Sequence, residues 1–137
     1  MEKTLTILKP DSVKAGNAGA IISRLEKEGF RIRALKMLHL TQSEAEGFYY
    51  VHKERPFFGS LVNFMTEGPI LPMVLESDNA IEKLRKVMGA TDPAKAEAGT
   101  IRKQFGSNIE RNAIHGSDGP DTAAFEISYF FSRLEMI

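Results

Sequence analysis

Residues 112–119 read Asn-Ala-Ile-His-Gly-Ser-Asp-Gly, which sets one histidine, His115, in a short polar loop just ahead of a helix start. A neutral imidazole has a lone pair on one nitrogen and a proton on the other, so it attacks phosphorus when a neighbour holds the protonated nitrogen in place. Glu126 lies eleven residues further on. One turn and about two helical turns span that distance, which returns its carboxylate beneath the ring. Taken singly, both residues read more plainly: His115 as a loop histidine, Glu126 as a solvated helix residue. Phosphoryl transfer also requires cations, because the phosphoryl oxygens stay negative through a loose transition state. Lys9, Arg85 and Arg102 are the basic candidates among the eighteen Lys and Arg.

The elements that must position these residues follow from hydrophobic patterning. Thr4 to Leu8 reads as a strand stopped at Lys9-Pro10-Asp11. Asn17 is the expected N-cap of a helix carrying Ile21, Ile22 and Leu25, with its stop at Gly29-Phe30. Residues 31–40 form a second strand whose alternation slips at Ala34-Leu35, marking either a bulge or burial on both faces. Thr41-Gln-Ser-Glu44 is a capping box for a short helix with Ala45, Phe48 and Tyr49 inward, and another helix runs from Pro56 to about Met65. After Gly68-Pro69, the apolar run from Ile70 to Glu76 reads as a central strand. Ser77 or Asp78 is expected to cap the next helix, with Ile81, Leu84 and Val87 inward and Gly89 at its end.

From Gly89 to Arg111 the periodicity dissolves into a long loop of the kind that usually carries function. A strand around His115 and a last helix from Pro120 follow, with Ala123, Ala124, Ile127, Phe130, Phe131 and Leu134 as its apolar face. The expected class is therefore α+β: a ferredoxin-like βαββαβ sandwich, a four-stranded antiparallel sheet with helices on one face and further helices added.

Length and composition narrow the field. The 137 residues are one domain's worth, 1–137, and a domain of this size buries ~68% of its extended-chain surface. There is no cysteine, hence no disulfide or thiol chemistry. The longest apolar runs fall far short of the ~20 residues of a membrane span, and the N-terminus lacks a signal-peptide pattern. A cytoplasmic, membrane-free protein is expected. The formal net charge is zero, so general adhesion to nucleic acid is not expected, while a local cluster of three or four cations suffices for one polyphosphate.

The loop from 112 to 118 resembles the signature of nucleoside diphosphate kinases, Asn-x-x-His-Gly-Ser-Asp, matched by Asn112, His115, Gly116, Ser117 and Asp118. The resemblance extends through Leu-Lys-Pro-Asp at 8–11, Arg-Pro-Phe-Phe at 55–58, Gly-Pro at 68–69, Gly-Ala-Thr-Asp-Pro at 89–93 and Gly-Thr-Ile-Arg at 99–102. It implies the same ferredoxin-like fold and transfer of the terminal phosphoryl group from a nucleoside triphosphate to a diphosphate, ping-pong, through a phosphohistidine. By the same analogy Glu126 holds the ring of His115 and stabilises its developing charge. Arg85, Thr91 and Arg102 contact the distal phosphates, and Lys9 reaches the sugar 3′-hydroxyl and the moving group. Asn112 binds the sugar, Tyr49 hydrogen-bonds within the site, and Phe57 stacks on the base without choosing among bases. His39 and His52 read as structural.

Mg²⁺ is the implied cofactor. No acidic cluster of metal-binding spacing occurs, so the ion is expected to be held mostly by nucleotide phosphates and water. A homo-oligomer, tetramer or hexamer, is also implied. Gln104, Ala98 and the end of the chain at Ile137 depart from the family pattern in segments it uses for subunit contacts. No Gly-x-x-x-x-Gly-Lys-Ser/Thr loop is present, which excludes a P-loop kinase. The competing readings are a histidine phosphocarrier, which leaves Phe57, Thr91 and Asn112 without a purpose, and a non-catalytic ferredoxin-like binding module. An RNA-binding version of the module requires exposed aromatics on a central strand, absent from 31–40 and 70–76.

Overall fold

Leu5 and Ile7 point to one side of the strand β1 (Glu2–Leu8) while Thr4, Thr6 and Leu8 alternate to the other, and all five are buried. A strand so placed must be central with both faces covered. In the computed structural model, which describes all 137 residues, β1 lies between β3 (Leu71–Ser77) and β4 (Ile114–Gly116) in an antiparallel sheet of order β2-β3-β1-β4. The outer strand β2 spans Arg31–Leu35.

The elements run β1, α1 (Pro10–Lys14), α2 (Ala18–Lys27), β2, α3 (Gln42–Phe48), α4 (Phe58–Met65), β3, α5 (Ala80–Met88), α6 (Ile101–Phe105), β4 and α7 (Pro120–Phe130). Without α1, α3, α4, α6 and α7 this is the expected βαββαβ order. The sheet separates two apolar clusters. Ile21 and Leu25 of α2 and Leu84 and Met88 of α5 pack with Leu8, Met73, Leu75 and Ile114 on one face. Ala45 and Phe48 of α3, Val62 and Met65 of α4, and Phe130 of α7 pack with Leu5, Ile7 and Val74 on the other. The crossover helices thus share one face, as expected, joined there by α1 and α6, and α3, α4 and α7 cover the second, leaving neither side of the sheet to water.

Several local expectations are corrected. Pro10 does more than stop β1: at the first helical position it opens α1, where its missing N–H costs nothing. β2 is half the expected length, and only an isolated bridge, Leu38 with Ile70, continues it. It is an edge strand rather than one buried on both faces, and its register slips between Ile32 and Ala34, the bulge reading. Asn17 sits at the N-cap of α2 but in a helical conformation with no capping bond. α4 starts at Phe58 rather than Pro56. Asn79, in the left-handed region at φ 50°, precedes α5 in place of Ser77 or Asp78, while Thr41 and Glu44 form the complete capping box. The loop at 89–111 contains α6, capped by Thr100. Ala124 and Leu134 are exposed, since α7 ends at Phe130 and leaves Leu134 95% exposed.

Candidate active site

His115 is the middle residue of β4, paired with Ile7, rather than a loop residue. Thr6 Oγ1 donates to its carbonyl oxygen at 2.7 Å, fixing the backbone beneath the ring. Glu126 is one of three buried residues of α7, on the turn after Ala123, so burial rather than solvation is its state. Its Oε1 lies 2.9 Å from His115 Nε2 and accepts the Ser117 hydroxyl at 2.6 Å. A carboxylate only accepts, so it selects the tautomer with the proton on Nε2 and leaves the lone pair on Nδ1. Phe48 meets the ring edge-on at 5.7 Å between centroids. The imidazole is thereby held on two sides.

The approach to β4 is unusually constrained. Ala113 has φ 78°, in the left-handed region that side chains avoid. Its N–H donates to Asp11 Oδ2 at 3.1 Å, while its carbonyl accepts the Lys9 N–H and the Ser12 hydroxyl. Those bonds hold a conformation costing of order 1–2 kcal/mol. Burial raises the Asp11 carboxyl above the usual range, partly offset by that Ala113 bond. Gly116 lies close under α5: a Cβ there would come within 2.9 Å of Leu84 and Met88 side-chain atoms. The glycine after His115 therefore lets β4 sit against the helix.

Lys9, Arg85 and Arg102 line one cleft of about 730 Å³ together with His115, and none of the three makes an ion pair with a carboxylate. Lys9 is buried, its Nζ donating to Asn112 Oδ1 at 2.8 Å. Burial, then the nearby Arg102 charge, bring its ammonium down to about 8. Arg102 donates to the carbonyls of Gly89 and Ile114. Burial and Arg85 lower its pKa too, although a guanidinium stays charged. Two mutually repelling cations held unpaired in a cleft form a site that gains from an anion.

The remaining expected residues also line this cleft: Tyr49, Phe57, Thr91, Asn112 and Glu126. Asn112 is a buried joint, its Nδ2 donating to the carbonyls of Thr91 and Ile109. The expected Tyr49 hydrogen bond is not made within the protein. Its hydroxyl is buried without a partner, and burial and the Glu126 charge raise its pKa. Phe57 is 48% exposed and Ile109 62% exposed, both lining the cleft.

Sequence reasoning missed four contributors. Ser117, although inside the motif, was not read as the second ligand of Glu126. Leu61 and Ile109 carry no signal beyond being apolar where the cleft opens. His52, read as structural, instead lines the cleft with its ring 5.6 Å from Phe57; the signal available was its place in the segment leading to Arg55-Pro56-Phe57. His39, by contrast, has its Nε2 2.8 Å from the Thr66 carbonyl oxygen, away from the cleft. No group of three or more His, Asp or Glu side chains is placed to hold a metal ion.

Comparison with known proteins fits this arrangement. The nucleoside diphosphate kinase family profile matches residues 2–136. Nucleoside diphosphate kinase of Geobacter sulfurreducens is 58% identical over 137 residues, the full length of both chains. That of an Anaeromyxobacter species is 61% identical over 130 residues, 95% of this chain and 89% of the relative. An orthorhombic crystal form of the Aquifex aeolicus nucleoside diphosphate kinase superposes with TM-score 0.97 at 47% identity, covering 99% of each chain. The halophilic Halobacterium salinarum enzyme in complex with CDP gives 0.95 at 39%, covering 99% of this chain and 91% of that one.

Proposed function

The chain belongs to the nucleoside diphosphate kinase family, and from that premise we propose that His115 Nδ1 is the atom that takes up the phosphoryl group. Members transfer the terminal phosphoryl of a nucleoside triphosphate to a diphosphate by a ping-pong route through a phosphohistidine, and this chain is such a phosphotransferase. The observation that carries the assignment is the bond between Glu126 and His115 Nε2, which leaves Nδ1 as the free lone pair. As the N–P bond forms and the bond to the departing diphosphate oxygen breaks, positive charge grows on the ring, and Glu126 stabilises it. A second nucleotide then occupies the same cleft in the reverse sense.

The other assignments follow the cleft from inside to mouth. Arg102, Arg85 and Thr91 receive the distal phosphates, and Lys9 and Asn112 reach the sugar and the moving group. Tyr49 offers its unpartnered hydroxyl to the ligand, so its missing bond is completed on binding. Phe57 stacks on the base, with Leu61 and Ile109 bordering it. Stacking accepts any base; the halobacterial relative was solved in complex with CDP.

The family requires a divalent cation, and we take it to be Mg²⁺. Asp118 and Asp121 at the cleft fit an ion that keeps its waters, and when bound with the nucleotide it neutralises phosphate charge. A homo-oligomer, tetramer or hexamer, is part of the same reading. It is supported by Leu35 and Met37, 48% and 60% exposed, on and just beyond the edge strand β2. No helix is long and apolar enough to cross a membrane; a cytoplasmic setting completes the proposal.

The test is incubation with γ-labelled ATP and Mg²⁺ followed by assorted nucleoside diphosphates. Acid-labile label on the wild type, discharged by each diphosphate and missing from His115→Ala, is the expected result. Label that persists after diphosphate addition assigns a phosphocarrier instead.

A further inference from the structure

The mouth of the cleft is built by two segments distant in sequence: the start of α4, with Phe57 and Leu61, and the 107–111 loop, with Ile109. What spans them lies one residue to the side. Ser60 Oγ donates to Glu110 Oε2 at 2.7 Å. The Arg111 guanidinium forms a two-pronged pair with the Glu67 carboxylate, its Nη1 3.0 Å from Oε2, and lies 4.7 Å from the centre of the Phe64 ring. These partners, Ser60, Phe64 and Glu67, belong to α4 or the turn that ends it, while on the inner side of the loop the Ile109 and Glu110 carbonyls accept from Asn112 Nδ2 and Lys9 Nζ.

The loop itself is closed by short-range bonds. Asn108 Oδ1 accepts the N–H groups of Glu110 and Arg111, and Ser107 N–H donates to the Arg111 carbonyl. These bonds brace the loop as one unit, and the links to α4 tie it on the side of Phe57. The same loop leads directly into Asn112 and Ala113. The links consequently tie the outer side of the loop to α4, while Asn112 and Lys9 hold its inner side.

We propose that the Ser60–Glu110 and Glu67–Arg111 links are positioning contacts that set the width of the base slot between Phe57 and Ile109. None of these four residues touches the nucleotide. This rests on the reading of Phe57 as the base-stacking residue given above. An aromatic base is about 3.4 Å thick, and stacking and dispersion weaken steeply when a gap opens by even 0.5–1 Å. A slot held at the right width recovers contact on both base faces; a slack one recovers it on one.

Ser60→Ala/Glu67→Ala removes both α4 partners and leaves every residue bordering the cleft in place. Inhibition constants are measured for ADP, which has a base, and for ribose 5′-diphosphate, which lacks one, on wild type and variant. The expected result is a roughly three- to tenfold weaker ADP, the range of two exposed polar links of ordinary surface strength. Ribose 5′-diphosphate stays within about twofold, and Ser60→Thr, which keeps the hydroxyl, behaves as wild type. Parallel weakening of both ligands, or no change in either, overturns the proposal; a melting curve on the same samples identifies a misfolded variant, for which Glu110→Ala, which removes the acceptor of the Ser60 hydroxyl, replaces the double change. Equal binding of the two ligands by the wild-type protein refutes the base-stacking reading itself, and the slot with it.

Discussion

Lys9 shows how one buried ammonium couples chemistry to stability. Its folded value of about 8 lies below the 10.5 of an ordinary lysine, so between those pH values the unfolded chain binds more protons. Stability contributed by this group accordingly rises with pH across that window and is lowest below it. Activity runs the other way, because the charged form is the useful one. The kcat/KM profile should fall above pH about 8, the limb on kcat should move higher because bound phosphate favours the ammonium, and Lys9→Arg should erase the limb. Lys9→Met should abolish transfer while changing the melting temperature at pH 7 little: relief of the buried charge is offset by loss of the charged Asn112 bond, about 1.5–3 kcal/mol. At the other end of the site, Glu126→Ala should slow phosphoryl transfer by roughly two orders of magnitude with nucleotide affinity largely kept. A defect confined to binding would move Glu126 to a different role.

Among the elements, the join of α5 to α6 shows why the long loop looked structureless. Gly89 ends α5 at φ 88°, and a Cβ there would come within 2.6 Å of Thr100, the N-cap of α6. Gly89→Ala should therefore destabilise the fold by about 2–4 kcal/mol in urea denaturation and raise KM for nucleotides, since Arg102 is anchored to the Gly89 carbonyl. α6 has five residues and no long apolar face, so periodicity had little to report, whereas β3, with five consecutive buried residues, was evident. The same reason explains α1, a single proline-led turn. β4 was legible only through its motif, because three residues cannot show alternation. Where an element was long or chemically capped, as at Thr41, sequence and structure agree; where a short element is held by tertiary bonds, they part.

At the scale of the whole molecule, the sheet is a partition with packing on both sides and chemistry at one margin. The apolar packing lies on the two faces of the sheet and Lys9, Arg85 and Arg102 lie together at the cleft, so a chain of zero net charge still presents a local cationic site. Nucleotide affinity should thus weaken as ionic strength rises, while a substitution at a remote pair such as Arg24–Glu28 should leave it unchanged. The residues expected to form the site were all found on one cleft because their types are chemically specific. The bonds that make them a site, from Ser117 to Glu126 or from Asp11 to Ala113, depend on topology that no spacing reports. The central claim is chemical, and one measurement addresses it directly: phosphorus NMR of the isolated phosphoenzyme, with peptide mapping of the labelled residue. Phosphate on Nδ1 of His115 is the expected result. Phosphate on Nε2, the nitrogen bonded to Glu126, or on any other residue, would contradict it.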